Sequence, residues 1–183
     1  MGYEVAFKKA WEDLAKLSPK KPLSVKFLGD EYGIDLECKK VILLFSYLAA
    51  KDFLSIIILH YLAQEIKGLP KLTGEWLTFR EFSGVEGYYE AFRKRSVEPI
   101  IKKYGSNPEA IKGALNRLPA KEFSGGDIGI ILEVFAQVLV LVKFWKADEE
   151  FGADANIYFD ANITKIFCIE DIVVLAGLVA SKL

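Results

Sequence analysis

The segment IGIILEVFAQVLVLVKFWK, residues 128–146, decides the fold. Apolar side chains alternate along both halves of the segment, and a period of two residues is typical of strands. The pattern predicts two buried strands, Ile128–Phe135 and Val138–Lys146. Glu133 and Gln137 interrupt the apolar run, which is also too short to cross a bilayer. We therefore assign this segment to the core of a globular domain.

Helical and strand periods alternate along the N-terminal part of the chain. Tyr3–Leu17 has the spacing of an amphipathic helix, which is predicted to end at Ser18-Pro19. Gly29-Asp30 separates two alternating segments, a pattern typical of a hairpin. Val41–Tyr47 is rich in β-branched and aromatic residues and predicts a buried strand. Asp52–Lys67 predicts a central helix that is apolar nearly all round, with its first residue as the cap.

The middle and the end of the chain mix helices with short strands. Glu75–Phe82 predicts a strand. Gly87–Tyr104 is helical, and we predict a break with a cap near Ser96 because Pro99 cannot lie deep inside a helix. The remaining predicted elements are a short helix from Pro108 that ends before Pro119, a strand at Ile157–Phe159 and a final helix at Glu170–Lys182. This order predicts a single α+β domain, residues 1–183, with a mostly antiparallel sheet.

Composition narrows the classes of function. The 24 basic and 25 acidic residues nearly cancel, so we expect no binding to nucleic acid or to a membrane. Cys38, Cys168 and His60 are too few for a zinc or iron–sulfur site held by this chain alone, and the sequence leaves the identity of any cofactor unknown. Two buried thiols and a cytoplasmic location are expected. Ser181-Lys182-Leu183 spells a peroxisomal address, but it ends a helical pattern, which favours a chance match.

A carboxylate-rich loop follows the second strand. Asp148, Glu149, Glu150, Asp154 and Asp160 have no basic residue among them. Crowded carboxylates repel one another, and calcium or magnesium takes oxygen ligands in such loops. Two interpretations stay open. The loop is solvated, as exposed carboxylates usually are, or its first three carboxylates meet Asp160 in a cation or acid–base site.

Basic and aromatic residues interleave in the middle of the chain. Arg80, Arg93 and Arg95 are candidates for an anion pocket because the guanidinium fork matches phosphate or carboxylate. Tyr89 and Trp76 are candidates for its aromatic lining. The alternative is a solvated helix face with ordinary ion pairs.

His60 lies inside the apolar helix Asp52–Lys67. A lone histidine at such a position is more often a hydrogen-bonded core residue than a general base, so we assign it a structural role. Ser124–Asp127 predicts a turn rather than a phosphate-binding loop, because no helix clearly follows it.

A further signal is spread over nearly the whole chain. It consists of GYEVA (2–6), FLG (27–29) through DL (35–36), LHYL (59–62), WLTFRE (76–81), AFRKR (91–95), WKADEEF (145–151) and FD (159–160). In this order and spacing, the segments resemble a prokaryotic family of uncharacterised proteins, the domain of unknown function 3786, found mainly in anaerobic bacteria and archaea. The resemblance implies one family domain and a setting in anaerobic metabolism. It implies no catalytic residue or cofactor.

These observations leave three hypotheses about function. The first is a ligand-binding or accessory domain that recruits a small anion or a partner protein in anaerobic prokaryotic metabolism. The second is a hydrolase or acid–base enzyme that uses the carboxylate loop, with or without a divalent cation. The third is a structural or protein-interaction module.

Overall fold

The strands and helices of the chain follow its hydrophobic periods. A computed structural model describes residues 2–17 and 23–183, so the predicted helix end at Ser18-Pro19 lies outside the described residues. The helices are α1 (Gly2–Lys16), α2 (Asp52–Lys67), α3 (Tyr89–Phe92), α4 (Glu98–Tyr104) and α5 (Ile169–Lys182). The strands are β1 (Leu23–Phe27), β2 (Asp30–Asp35), β3 (Lys40–Leu43), β4 (Leu48–Ala49), β5 (Trp76–Thr78), β6 (Ala120–Phe123), β7 (Ile128–Phe135), β8 (Val138–Trp145) and β9 (Asp154–Asp160).

The two strands predicted from residues 128–146 lie side by side in a five-stranded sheet. Its order is β5-β9-β8-β7-β6, and every neighbouring pair is antiparallel. Ile131 lies opposite Leu141 in the hairpin of β7 and β8. Val140 and Val142 on β8 belong to the main hydrophobic core, together with residues of α1, α2 and α5. The chain is thus an α+β domain with antiparallel sheets, as the sequence predicts.

A second sheet is a four-stranded meander, β1-β2-β3-β4. It confirms the hairpin predicted around Gly29-Asp30, where Gly29 has a φ of 90°, in the left-handed region that favours glycine. The backbone amide of Leu28 donates to the carbonyl of Val134 at 2.9 Å, and this bond connects the meander to β7.

The prediction of a buried strand over Val41–Tyr47 is wrong in its second half. Strand β3 ends at Leu43, and a turn follows in which Tyr47 has a φ of 57°. Phe45 is 95% exposed there, so its apolar character does not correspond to burial. Phe45 is exposed because of where its turn lies in the fold. β3 and β4 are at the edge of the meander, and the tip of their hairpin extends beyond the core.

Helix α2 has the predicted bounds and is largely buried. Its buried residues are Ser55, Ile56, Ile57, Ile58, Leu59, Tyr61 and Leu62. The capping position is Lys51 rather than the predicted Asp52, whose carboxylate lies instead in the first turn, where it faces the positive end of the helix dipole. Gly68, with a φ of 105°, ends the helix.

The helical segment Tyr89–Tyr104 is continuous, which corrects the predicted break near Ser96. A π-helical turn, Arg93–Val97, joins α3 to α4. Ser96 is buried and does not cap a helix, because its hydroxyl donates to the carbonyl of Phe92 at 2.6 Å. Pro99 lies in the first turn of α4, directly after this widened turn, where its missing amide proton matters least.

The strand predicted over Glu75–Phe82 is also shorter than expected. Only Trp76–Thr78 pairs, with β9, and Phe79–Glu81 form a 3-10 turn. The Glu81 carboxylate accepts hydrogen bonds from the Thr78 amide and hydroxyl at 2.6 and 2.7 Å, which stabilises the turn and ends the strand. Arg80 therefore lies on a turn and not on a strand.

Both cysteines are exposed, which corrects the predicted burial. Cys38 lies in the turn between β2 and β3, and Cys168 immediately precedes α5. Neither position is covered by the core, so the apolar character of the thiol does not lead to burial.

The end of α5 packs inside the domain. Leu183 is fully buried, and its carbonyl oxygen accepts hydrogen bonds from Lys103 Nζ at 2.8 Å and from the Tyr104 hydroxyl. Among residues 2–17 and 23–183, no helix combines the length and the apolar character needed to cross a membrane.

Candidate functional site

A cleft of about 990 Å³ lies between α1, α2, α5 and the segment Tyr88–Arg95. Its α1 side consists of Tyr3, Ala6, Lys9 and Asp13, and its α2 side of Phe53, Ile56, Ile57, His60, Ala63, Gln64 and Lys67. These residues recur every three or four positions, the spacing that places side chains on one face of a helix. The other lining residues are Tyr88, Ala91, Arg95, Ile166, Cys168, Glu170, Asp171, Val173 and Val174. Small-molecule sites occupy about 300–1,000 Å³, so the cleft is large enough for one.

His60 and Asp171 form a hydrogen-bonded pair in the wall of the cleft. His60 Nδ1 lies 2.8 Å from Asp171 Oδ2, and the two side chains are 33% and 11% exposed. We assign the proton to Nδ1 because a carboxylate oxygen accepts at this distance. The predicted hydrogen bond of His60 is present, but the ring lies on the cleft wall and not inside the core.

The other ring nitrogen, His60 Nε2, is open to solvent. It has no hydrogen-bond partner among the described residues. Within the same residues, Trp11 Nε1 is the one buried side-chain nitrogen or oxygen that lacks a partner. Because Nε2 is unpartnered and not buried, it is the ring nitrogen that a molecule in the cleft can contact.

The remaining two carboxylates of the cleft already have partners. Glu170 Oε1 accepts a hydrogen bond of 2.5 Å from the Tyr88 hydroxyl, which raises the pKa of Tyr88. Asp13 accepts a hydrogen bond of 2.8 Å from Lys16, which lowers the pKa of Asp13. Lys16 balances the charge of Asp13, whereas Glu170 keeps its negative charge because its partner is a neutral hydroxyl.

The three cations of the cleft are not paired in this way. Within the described residues, Lys9, Lys67 and Arg95 have no carboxylate oxygen within 4.0 Å of their charged groups, although Lys9 and Lys67 lie close enough to Asp13 to help lower its pKa. A positive side chain without an ion pair beside an apolar wall favours a negatively charged visitor. The cleft thus combines an apolar interior with available positive charge.

Cys168 lies at the edge of the cleft but is not an activated nucleophile. Desolvation, reinforced by the nearby Asp171 and Glu170 carboxylates, raises the pKa of its thiol to about 11. A thiol with this pKa is protonated at neutral pH, whereas a reactive cysteine needs a lowered one.

The three arginines predicted to form an anion pocket, Arg80, Arg93 and Arg95, have different surroundings in the structure. Arg80 stacks on the ring of Tyr89, with 3.8 Å between its guanidinium carbon and the ring centroid. Arg93 Nε lies 3.8 Å from a carboxylate oxygen of Glu98. Arg95 is the member that lines the cleft. Arg93 and Arg95 are two residues apart in a helical segment, so their side chains leave on different faces.

Trp76 is not among the residues that line this cleft. Its ring meets Phe123 edge-on at 6.4 Å, on the five-stranded sheet. The structure therefore brings Arg80 and Tyr89 together and leaves Trp76 and Arg95 in different places.

The predicted acidic residues do not converge. Asp148 closes its own loop by accepting hydrogen bonds from the amides of Phe151 and Glu150 at 2.7 and 2.9 Å, and these bonds lower its pKa. Asp160 lies at the far end of β9, whose seven residues span about 20 Å at 3.3 Å per residue. Glu149 is exposed in the same loop as Asp148. Within the described residues, no group of three or more His, Cys, Asp or Glu side chains is placed to hold a metal ion.

Sequence reasoning missed the residues that make the cleft. His60 and Asp171 are 111 positions apart, and Asp171 in a first helical turn is indistinguishable from an ordinary capping residue. Lys9 and Lys67 look like solvated ends of amphipathic helices. A usable signal was the polar side chain of His60 within an otherwise apolar helix face.

Comparison with known proteins identifies the family. The model of a domain of unknown function (DUF3786) matches residues 10–182. The chain belongs to the DUF3786 family. This confirms the resemblance inferred from the sequence, and it places most of the cleft inside the matched region of the DUF3786 domain. No curated protein and no solved structure matches the chain.

Proposed function

We propose that this DUF3786 domain is a ligand-binding domain whose cleft takes a small amphipathic anion. The observation that carries the proposal is the presence of Lys9, Lys67 and Arg95, all without ion pairs among the described residues, around an apolar cleft of about 990 Å³. The setting we propose is the cytoplasm of a prokaryote with anaerobic metabolism, where the domain acts as an accessory protein.

The walls favour a ligand with a hydrocarbon or aromatic body. Phe53, Ile56 and Ile57 on α2 face Val173 and Val174 on α5 across the cleft lining. Burial of apolar ligand surface against such side chains stabilises a complex by roughly 25 cal/mol per Å².

The charged group of the ligand is a carboxylate or a phosphate, and Arg95 is its proposed anchor. A guanidinium group donates two parallel hydrogen bonds to either anion, and bonds to a charged acceptor are about twice as strong as neutral ones. Of the three carboxylates of the cleft, Asp13 is paired with Lys16, and Glu170 and Asp171 are hydrogen-bonded to Tyr88 and His60, so the anionic group of the ligand is expected at Arg95 rather than beside them. The other predicted binding residues, Arg80, Arg93, Tyr89 and Trp76, do not line this cleft and have no part in the proposal.

Thermal unfolding with matched ligands tests the proposal. Octanoate and octyl phosphate carry both required features, whereas 1-octanol lacks the charge and inorganic phosphate lacks the apolar body. At a concentration of 100 Kd, a ligand stabilises by about 2.7 kcal/mol, or roughly 5–10 °C for a domain of this size. We expect this shift with the two amphipathic anions alone.

Two arginine variants supply the matched control. Arg95→Ala removes the proposed anchor and is expected to weaken binding by ~10–100-fold, because a charge-assisted hydrogen bond contributes about 1.5–3 kcal/mol. Arg93→Ala removes the same charge two residues away on another face and is expected to leave affinity unchanged. Equal shifts with octanoate and 1-octanol, or equal losses in the two variants, would refute the proposal.

A further inference from the structure

The arrangement of His60 in the cleft is that of a general base. Asp171 Oδ2 holds Nδ1 at 2.8 Å, and this bond fixes both the tautomer and the direction of the ring. Asp171 itself is held at the start of α5, where Oδ2 also accepts from the backbone amide of Cys168 at 3.4 Å. A carboxylate at Nδ1 stabilises the imidazolium that forms when Nε2 takes a proton.

Water is the nucleophile that this base can activate. The described lining of the cleft contains no serine or threonine. The proton of the Tyr88 hydroxyl is already donated to Glu170 Oε1. The thiol of Cys168 is the remaining candidate, and its raised pKa opposes thiolate formation.

We propose that the cleft hydrolyses a carboxylic ester that also carries a separate, free anionic group, with His60 as general base and Asp171 as its positioning residue. This inference rests on the proposed binding function, because Arg95 anchors the anionic end of the same substrate. Nε2 takes a proton from water while the water oxygen bonds to the ester carbonyl carbon. The tetrahedral intermediate then expels the alcohol, which takes the proton from Nε2. The products are a carboxylic acid and an alcohol.

Hydrolysis of 4-nitrophenyl monoesters of dicarboxylic acids, from glutarate to suberate, tests the inference. These probes carry a carboxylate, an apolar chain and an ester, and 4-nitrophenyl octanoate lacks only the charge. We expect kcat/KM to be higher for the charged series and to be reduced ~100-fold or more by His60→Gln. Arg93→Ala is expected to leave the rate unchanged. An equal rate in wild type and His60→Gln would overturn the inference.

The chain has one histidine, so an NMR titration reports on His60 alone. In the wild type we expect the tautomer with the proton on Nδ1, and in Asp171→Asn a loss of this preference with a fall in kcat. Retained tautomer and retained kcat in Asp171→Asn would overturn the role of Asp171. His60→Gln gives an independent test if Asp171→Asn does not fold.

Binding and catalysis can fail separately. If octanoate stabilises the protein in an Arg95-dependent way but no monoester is hydrolysed, the catalytic inference is wrong and the binding function stands. If octanoate does not bind, the proposed function fails, and His60-dependent hydrolysis of the charged esters would then support catalysis without the proposed anchor.

Discussion

Replacing Asp160 by asparagine tests whether this carboxylate is a structural anchor or a cation ligand. Asp160 is 5% exposed. Its Oδ2 accepts hydrogen bonds from the amide and hydroxyl of Thr73 at 2.8 and 3.0 Å and from the amide of Gly74 at 2.9 Å. Its Oδ1 accepts from the amide of Asn162 at 3.0 Å. The three bonds from Thr73 and Gly74 join the end of β9 to the segment before β5, and the bond from Asn162 holds the turn that follows β9.

The expected loss of stability in Asp160→Asn follows from these contacts. The amide oxygen of asparagine can keep the three bonds to Oδ2, but each then loses its charge and about 1 kcal/mol. The NH₂ group faces the amide of Asn162, which leaves a buried donor unpaired at a cost of about 1–3 kcal/mol. Relief from burying a charge offsets part of this. The net loss is ~3 kcal/mol, or a Tm lower by roughly 6–12 °C.

The pH dependence of stability gives a second measurement on Asp160. Burial alone would raise its pKa, but the hydrogen bonds from Asn162, Gly74 and Thr73 outweigh this effect and hold the pKa below its ordinary value. The ionised carboxylate therefore stabilises the folded state above about pH 4, the unfolded pKa. This contribution is lost as the pH falls through the folded pKa. Asp160→Asn should lack this acid-side dependence.

Thermal and urea unfolding, with and without calcium or magnesium, distinguish the two roles. Asp154→Asn is the matched control, because Asp154 is an exposed carboxylate at the other end of β9 and should change stability by less than ~0.5 kcal/mol. A structural anchor predicts the same loss in Asp160→Asn with and without the metal ion. A Tm within about 2 °C of wild type, or a metal-dependent shift that Asp160→Asn abolishes, would refute the structural role.

Three further predictions concern other contacts of the fold. Gly129→Ala would place a Cβ 2.5 Å from a backbone carbonyl oxygen of β6, so urea unfolding should show a loss of at least ~2 kcal/mol of stability. Gly113→Ala is the control, because a Cβ at position 113 meets nothing within 4 Å, and it should stabilise the protein by about 0.5 kcal/mol. Tyr61→Phe removes a hydroxyl that lies 3.0 Å from a carboxylate oxygen of Glu65 and 3.1 Å from the carbonyl oxygen of Ala136, so its Tm should fall by roughly 3–6 °C, and an unchanged Tm would show that these contacts contribute nothing. Glu109 accepts hydrogen bonds from two lysines that lower its pKa to about 2, and NMR titration of its carboxyl group should give this value rather than one near 4.5.

Much of the fold could be predicted from local patterns. The alternation in residues 128–146 predicts β7 and β8, and the apolar period of Asp52–Lys67 predicts α2, because buried faces impose a two- or 3.6-residue repeat on the chain. The hairpin at Gly29-Asp30 follows from turn chemistry that involves neighbouring residues alone. The sequence-based predictions are wrong where the same local pattern is compatible with two different tertiary arrangements. Apolar Phe45 lies at an edge with nothing packed over it, and Ser96 can bond backward to a carbonyl or forward as a cap.

The candidate site could not be predicted as a whole from local sequence patterns, because such patterns do not fix tertiary contacts. His60, Arg95 and Asp171 come from three helical segments, and no short-range rule states which helix faces meet. In the acidic segment, residues that are close in sequence are far apart in the fold, because Asp154 and Asp160 lie at opposite ends of β9. The sequence by itself determined the secondary structure of the core, the α+β class and the family, since these depend on periodicity and on the order of local segments. The tertiary structure alone decided that His60 meets Asp171 and that three cations surround an apolar cleft, since helix packing sets the distances between residues far apart in the chain.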